Sequence, residues 1–245
     1  MKAMIFAAGL GTRLKPLTDT IPKALVPLEG RPLLDWVINR LIAAGFDEIV
    51  VNVHHFGQQV IDYLDWHPYN VAVTISDERK QLLDTGGGLL KAAPLFSADS
   101  SPILIHNVDI LHNADLPTFY VAGLKYSATL LVSERSTSRY LLFDESNRLV
   151  GWTNIITGEV RSPYADLNLS CLHKYAFSGI HTFSPHLFSL MKGYQPKFSI
   201  IDFYLSVCDK VDIMGYPVNN LQLVDVGKLD SLKKAETFLK TGSLL

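Results

Sequence analysis

Apolar, often β-branched runs alternate along this chain with segments whose apolar positions recur every three to four residues. That alternation predicts strand–helix–strand units wound around a mostly parallel sheet. Lys2 to Ala7 reads as a first strand. Pro32 occupies a first helical position, and the helix it opens carries an apolar stripe of Leu33, Leu34, Trp36, Val37, Leu41 and Ile42 before Gly45 ends it. Glu48 to Val53 predicts a second strand, Gln58 to Leu64 a short helix and Val71 to Ser76 a third strand. A polar loop then leads to Thr85-Gly86-Gly87-Gly88, which opens another helix, and Pro102 to Asn107 is a fourth strand running towards Asp109.

Beyond about residue 126 the regularity loosens. Ala128 to Ser133, Tyr140 to Phe143, Leu149 to Trp152 and Tyr175 to Thr182 predict strands, several of them antiparallel and joined by turns. Ile200 to Val207 has helical character, Leu221 to Val224 is a last strand, and Leu229 to Leu239 a closing helix. No linker, repeat or low-complexity tract interrupts the pattern. The expectation is an α/β fold with a Rossmann-like, mostly parallel but mixed sheet flanked by helices. One domain over 1–245 is expected, residues 1–125 serving a nucleotide and 126–245 a second substrate.

Composition narrows the function without naming it. The chain has 245 residues, 48% of them hydrophobic and 19% charged, enough for a sizeable core. Its formal net charge is −2, so no overall positive field draws in a nucleic acid, and phosphate affinity must be local. Cys171 and Cys208 are far apart and outside any CxxC pattern, which points to reduced thiols. The apolar run Ala3 to Ala8 is too short for a signal peptide and is broken by Gly9, Gly11 and Arg13. No stretch approaches the roughly 20 apolar residues of a membrane span. A cytoplasmic protein with no membrane partner, a monomer or small homo-oligomer, is expected.

The first candidate motif is Ala7-Ala8-Gly9-Leu10-Gly11-Thr12-Arg13-Leu14, directly after the first strand. Its glycines let the backbone turn sharply and approach a ligand, and free N–H groups in such a loop form an anion-binding concavity. A dinucleotide fingerprint needs a third glycine where Leu14 stands, and a Walker A loop needs GxxxxGK[ST]; neither is present. Arg13, Lys15 and Lys23 fall within eleven residues, with Pro16, Pro22 and Pro27 stiffening the connection. Three cations suit a triphosphate on which charge develops during reaction.

The whole stretch from Ala7 to Pro27, AAGLGTRLKPLTDTIPKALVP, closely resembles the signature of the nucleotide-sugar pyrophosphorylases, the NTP-transferase family. The resemblance implies a glycosyltransferase-A-like fold and nucleotide-sugar synthesis from a nucleoside triphosphate and a sugar 1-phosphate, the two partners expected. It implies that Gly9, Gly11 and Thr12, with Ala8 beside them, hold the triphosphate. It further implies that Arg13 and Lys23 bind the phosphates and stabilise the transition state.

Two further motifs extend the site. In Leu83-Asp84-Thr85-Gly86-Gly87-Gly88, small residues at a helix start let a flat base lie against the backbone. The family places this segment against the nucleobase, so Thr85 and Gly86 are expected base contacts, with Glu78 a candidate for base or ribose. Asp109 and Asp225 each follow a predicted strand, where open α/β sheets place ligands. Together they would suit a Mg²⁺ held against phosphate oxygens, and both match the family's metal-binding aspartates. Val108 stands where the family usually has glycine.

The acceptor side is less explicit. Phe177-Ser178-Gly179-Ile180 resembles the family's strand beside the sugar, with Gly179 admitting the ring. The family's Glu-Lys-Pro segment is replaced by Gly151-Trp152-Thr153-Asn154, which leaves Asn154 as a substitute contact. Asp202 reads equally as a sugar contact and as a helix-start residue. His54, His55, His106 and His112 fall in no zinc spacing, and no GxSxG marks a serine hydrolase.

The resemblance thus implies attack by a sugar-phosphate oxygen on the α-phosphorus, expelling pyrophosphate. A phosphate monoester has its second pKa near ~6 and needs no general base at neutral pH. The short chain, with no room for a β-helix domain after the closing helix, and the LDTGGG and FSGI segments look most like family members that uridylylate N-acetylmuramate 1-phosphate for the cell wall. Guanylyltransferases of mannose or heptose 1-phosphate and cytidylyltransferases of phosphocholine share the first loop and are the alternatives. A non-catalytic nucleotide-sugar-binding regulator would be expected to have lost part of the loop or an aspartate, and none is lost.

Overall fold

The alternation of apolar side chains along each central strand dictates a sheet covered on both faces. In the computed structural model, which describes residues 1–240, strand β1 (Lys2–Phe6) lies at the middle of that sheet. Ala3 and Ile5 point to one face and Met4 to the other. After β1 the chain makes three 3-10 turns, at Thr12–Leu14, Leu17–Asp19 and Lys23–Leu25. A minimal hairpin of β2 (Pro27–Leu28) and β3 (Arg31–Pro32) leads into helix α1 (Leu33–Ala43). Strand β4 (Glu48–Val53), helix α2 (Gly57–Trp66), strand β5 (Ala72–Asp77) and helix α3 (Asp84–Ala92) follow. Then come β6 (Ile103–Asn107), the short β7 (Ile110–His112) and helix α4 (Leu116–Gly123).

The second half supplies β8 (Ala128–Ser133), β9 (Arg139–Phe143), β10 (Leu149–Asn154), β11 (Glu159–Arg161) and the long β12 (His173–Phe183). Helix α5 (Ile200–Val207), β13 (Ile213–Pro217), β14 (Leu223–Asp225) and helix α6 (Leu229–Lys240) complete it. A ten-stranded sheet runs through both halves. Its centre, β6-β1-β4-β5, is parallel. Strand β12 adds antiparallel to β6 and carries β8 on its other side, with β13 parallel to β8. The first part of β12 pairs with β9, from which β10 and β11 continue as an antiparallel meander.

The sheet order reverses beside β1: the chain moves outward through β4 and β5, then returns across β1 to β6. Such a switch point opens a crevice at the strands' C-terminal ends. Helices α1, α2 and α4 cover one face, and α3 and α5 the other. A third, small core gathers Leu14, Val26, Leu28, Leu33, Leu111, Val226, Ala235 and Phe238. It joins the first loop to β7, to the end of β14 and to α6. This satellite core matters most for the site, because Leu14 follows Arg13 and Val226 follows Asp225.

Several elements escape the period-based reading. Strand β13 contains Gly215 and Pro217, residues that disfavour a strand; the proline is its last residue, where the missing donor costs no interior ladder bond, and Met214 adds an isolated bridge to Arg148 on the side away from β8. Helix α4 is nearly apolar all round, with Leu116, Phe119 and Tyr120 buried but Val121 exposed, so no amphipathic stripe marks it. Strands β7 and β11 have three residues each, too few for a period. Cys208 is buried, Cys171 is exposed, and both are free thiols. Among the described residues no helix is long and apolar enough to cross a membrane.

Candidate active site

The first loop turns where the glycine spacing predicted it would. Gly11 sits at φ +66, in the left-handed region that an L side chain enters only at a cost. Its carbonyl accepts bonds from the Leu14 amide (2.9 Å) and the buried Thr18 hydroxyl (2.8 Å), which close the 3-10 turn carrying Thr12 and Arg13. Ala8 is buried, whereas Gly9, Leu10, Thr12 and Arg13 are exposed. No protein acceptor faces the amides of Leu10, Gly11 and Thr12 among the described residues. Those donors are available to an anion.

Two carboxylates meet this loop. Strand β7 pairs antiparallel with β14, so that Asp225 stands opposite Ile110, and the Val226 amide donates to the Asp109 carbonyl at 2.8 Å. Residues more than a hundred positions apart thereby become neighbours. Lys23, itself only 9% exposed, donates to the Asp109 carboxylate in an ion pair. Arg13 and Asp225 close over Gly227: a methyl group there would lie 2.7 Å from the Arg13 guanidinium and 2.6 Å from Asp225 Oδ1.

Burial is the main cause that pushes the Asp225 carboxyl above its ordinary range, and the Asp109 charge adds to it. Lys23, Arg13 and Arg135 pull the other way. Two carboxylates so placed call for positive charge between them. The donors are hard oxygens, and among the described residues no cluster of three or more His, Cys, Asp or Glu forms a complete metal cage. That set fits an ion of the Mg²⁺ type, which commonly takes one or two carboxylates and completes its shell with water and phosphate.

Beside the loop lies a cavity of about 260 Å³ lined by Ala8, Gly9, Asn52, Leu82, Asp84 and Thr85, with Phe6 and Lys197 at its edges. Ala8, Gly9 and Thr85 therefore lie together. Asn52 was not foreseen. Its Oδ1 accepts from the Ala7 amide at 2.7 Å, and its Nδ2 donates to Glu78 Oε1 at 2.7 Å.

Glu78 departs from its expected role. It is fully buried behind the cavity, and its second oxygen accepts from the Leu83 amide. Burial pushes its carboxyl upward. The residue braces Asn52 and does not line that cavity. Gly86 also departs. Its amide donates to the Phe198 carbonyl at 2.9 Å, and a Cβ there would meet the Phe198 ring at 2.3 Å. The glycine triplet thus lets the 196–198 segment close onto α3, and Thr85 Oγ1 accepts from the Ile200 amide at 2.9 Å in the same contact.

Gly179, at φ +76, packs against Asn107, two residues before Asp109, and so stands beside the centre. A second cavity of about 340 Å³ opens next to it, bounded by Arg135, Arg139, Trp152, Arg161, Phe177 and Asp202 among others. Asp202 lines this cavity, pairs with Arg161 at 2.7 Å and also lies in the first turn of α5. Asn154 does not line it. Its Oδ1 accepts from the Ile156 amide and its carbonyl from the Gly158 amide, inside the β10–β11 turn.

Three histidines, His106, His112 and His181, take core positions. His106 and His112 are buried with their Nε2 atoms 3.0 Å apart. His106 Nδ1 faces the Asn107 carbonyl and must donate, while His112 Nδ1 accepts from the Ala114 amide. Each ring therefore has one assigned tautomer, with His112 donating to His106, and the pair ties β6 to β7 on either side of Asp109.

A family model described as nucleotidyl transferase matches residues 2–140. Over 116 residues the chain is 46% identical to the N-acetylmuramate alpha-1-phosphate uridylyltransferase of Neisseria meningitidis serogroup B, covering 47% of this chain and 49% of that protein. The protein of the same name from Caulobacter vibrioides is 44% identical over 110 residues, covering 44% and 45% respectively. The chain thus spans about half the length of the curated relatives it matches. The crystal structure of HddC from Yersinia pseudotuberculosis superposes with a TM-score of 0.77 at 22% identity, covering 97% of this chain and 99% of that one, a likeness of fold.

Proposed function

The chain belongs to the nucleotidyl transferase family, and from that premise we propose that it transfers a nucleotidyl group from a nucleoside triphosphate to a sugar 1-phosphate, releasing pyrophosphate. Within that reaction, uridylyl transfer to N-acetylmuramate 1-phosphate is the reading best supported, since two relatives of that name are 46% and 44% identical over 116 and 110 residues.

One observation carries the proposal: Arg13, Lys23, Asp109 and Asp225 converge beside a loop of free amides. The amides and Arg13 hold the triphosphate. An oxygen of the acceptor's phosphate, already anionic at neutral pH, forms a bond to the α-phosphorus as the bond to the β-phosphate oxygen breaks. The electron pair leaves with pyrophosphate, and no proton needs to move. The barrier is repulsion between two anions, and Arg13 and Lys23 offset it by placing fixed positive charge where negative charge accumulates. Asp109 and Asp225 would hold a divalent cation, which supplies further charge neutralisation on phosphate oxygens when bound. The Lys23–Asp109 pair keeps the lysine aimed into the site.

The test is pyrophosphate release across four nucleoside triphosphates and a panel of sugar 1-phosphates, with and without Mg²⁺. Arg13→Ala, on an exposed turn, is expected to lower turnover by at least about 100-fold while the circular dichroism spectrum is retained. Near-normal turnover in that variant would sink the assignment of Arg13, and no release in any combination would leave a binding protein.

A further inference from the structure

The cavity between the β9–β11 meander and the start of α5 carries an unusual charge balance. Register explains how it arises. Leu141 stands opposite Trp152, and Trp152 opposite Arg161. Arg139, two residues before Leu141 and opposite Asn154, belongs to the same face. One sheet face thus presents Arg139, Leu141, Trp152 and Arg161 to Ser199, Ile201 and Asp202 across the gap. Arg135 and Phe177 close the side towards the metal carboxylates.

Each cation in this wall has a different engagement. Arg161 is neutralised by Asp202 at 2.7 Å and lies over the Trp152 ring, 5.6 Å from its centroid. Arg135 donates to the Phe177 carbonyl at 2.8 Å, two residues before Gly179, which packs against Asn107 beside the carboxylate centre, so it lies at the end of the cavity nearer that centre. Arg139 has no carboxylate partner among the described residues. With three arginines and one aspartate, the wall has a net charge of 3 − 1 = +2. On the nucleotidyl-transfer reading, the acceptor's phosphate would sit at the Arg135 end and account for part of that excess. A positive charge remains at the other end of the cavity.

We infer that this cavity selects an acceptor bearing a second anion, a carboxylate on the sugar remote from its phosphate, and that Arg139 is the residue that reads it. A planar guanidinium matches a carboxylate through two parallel N–H donors. Trp152 and Leu141 supply the apolar floor on which a sugar ring lies. A neutral sugar would leave Arg139 without a counter-charge, and the discrimination follows from that difference. The inference rests on the nucleotidyl-transfer reading, because it assigns this cavity to the acceptor of that reaction.

The experiment compares two probes that share the hexosamine ring and differ in one group: N-acetylmuramate 1-phosphate, with its carboxylate-bearing ether, and N-acetylglucosamine 1-phosphate, without it. For the unaltered protein, kcat/KM should favour the carboxylate probe. In Arg139→Ala the ratio of the two kcat/KM values should fall by about 10- to 100-fold, through KM for the carboxylate probe. Arg139→Lys should recover part of it. A ratio that Arg139→Ala leaves intact, or a native protein preferring the neutral probe, overturns the inference while leaving nucleotidyl transfer standing. A native protein that uses no acceptor at all overturns the underlying reaction, and the inference with it.

Discussion

Gly227 shows how little space separates the charged groups of this centre. A single methyl group there would intrude on both the Arg13 guanidinium and Asp225 Oδ1. Gly227→Ala is therefore expected to push the pair apart by a good fraction of an ångström. Displacements of that size cost on the order of 100-fold in turnover. The expected outcome is a loss of that order in pyrophosphate release with thermal stability little changed, since the atoms in the way are the far ends of two side chains and not backbone. Turnover within twofold of the unaltered protein would show that the contact yields freely. The residue types of this centre were legible in the chain: Arg13, Lys23, Asp109 and Asp225 stand in patterns with a chemical reason. Glu78 was not, because a carboxylate in a loop carries no mark of its burial. Only the Asn52 and Leu83 contacts show that it braces the cavity from behind.

At the scale of elements, the start of α3 sets two effects against each other. Alanine is the better helix former than glycine by about 1 kcal/mol, so Gly87→Ala would stabilise a free helix. Here the added Cβ would lie 2.0 Å from the Pro196 carbonyl oxygen. Overpacking of that kind costs about 1–3 kcal/mol, more where backbone must move, and it wins. Gly87→Ala is expected to lower the urea midpoint, and to weaken nucleotide binding by shifting Thr85 in the cavity wall. A raised midpoint would show that the 196–198 segment moves aside without cost. A triplet of glycines before a helix reads equally as a ligand platform and as a docking seat. The chain alone does not distinguish them, because the partner segment is more than a hundred residues away.

Over the whole molecule, buried histidines link stability to pH. Burial pushes His106 down to about 4 and His181 down to about 3, and holds His112 well below its ordinary value. His181 bonds the Tyr204 hydroxyl through Nδ1 at 2.7 Å in the second core. An unfolded histidine titrates near 6.5. Above that pH neither state binds the proton, and the stability is fully present. As pH falls from 6.5 towards the folded value, the unfolded chain takes up protons that the folded one refuses, and stability is lost. Each such histidine contributes a slope of up to about 1.4 kcal/mol per pH unit. Urea unfolding at pH 7, 6 and 5 should show a steady decline, shallower in His181→Gln, where the other titrating groups cancel in the comparison. An equal decline in that variant would exclude His181 from the linkage.

Local physics determined much of this protein. Strands β4 and β8 and helix α5 were expected with their observed bounds, and β1, β6 and β12 to within a few residues, because period-2 and period-3.6 burial leave direct marks in the order of side chains. The turn of the first loop was equally legible, because its geometry at Gly11 depends on a few adjacent residues. Tertiary structure alone decided the rest. It brought Asp225 to Asp109 through a three-residue strand, moved Glu78 and Gly86 from ligand contacts to supports, and turned Asn154 into its own hairpin. It also aligned Arg139 and Arg161 on one sheet face with Trp152. Except for Asn154, whose bonds are local to its turn, the physical reason is shared. These features depend on contacts between segments separated in the chain, and such contacts are selected by the packing of the whole core, which no short window of residues records.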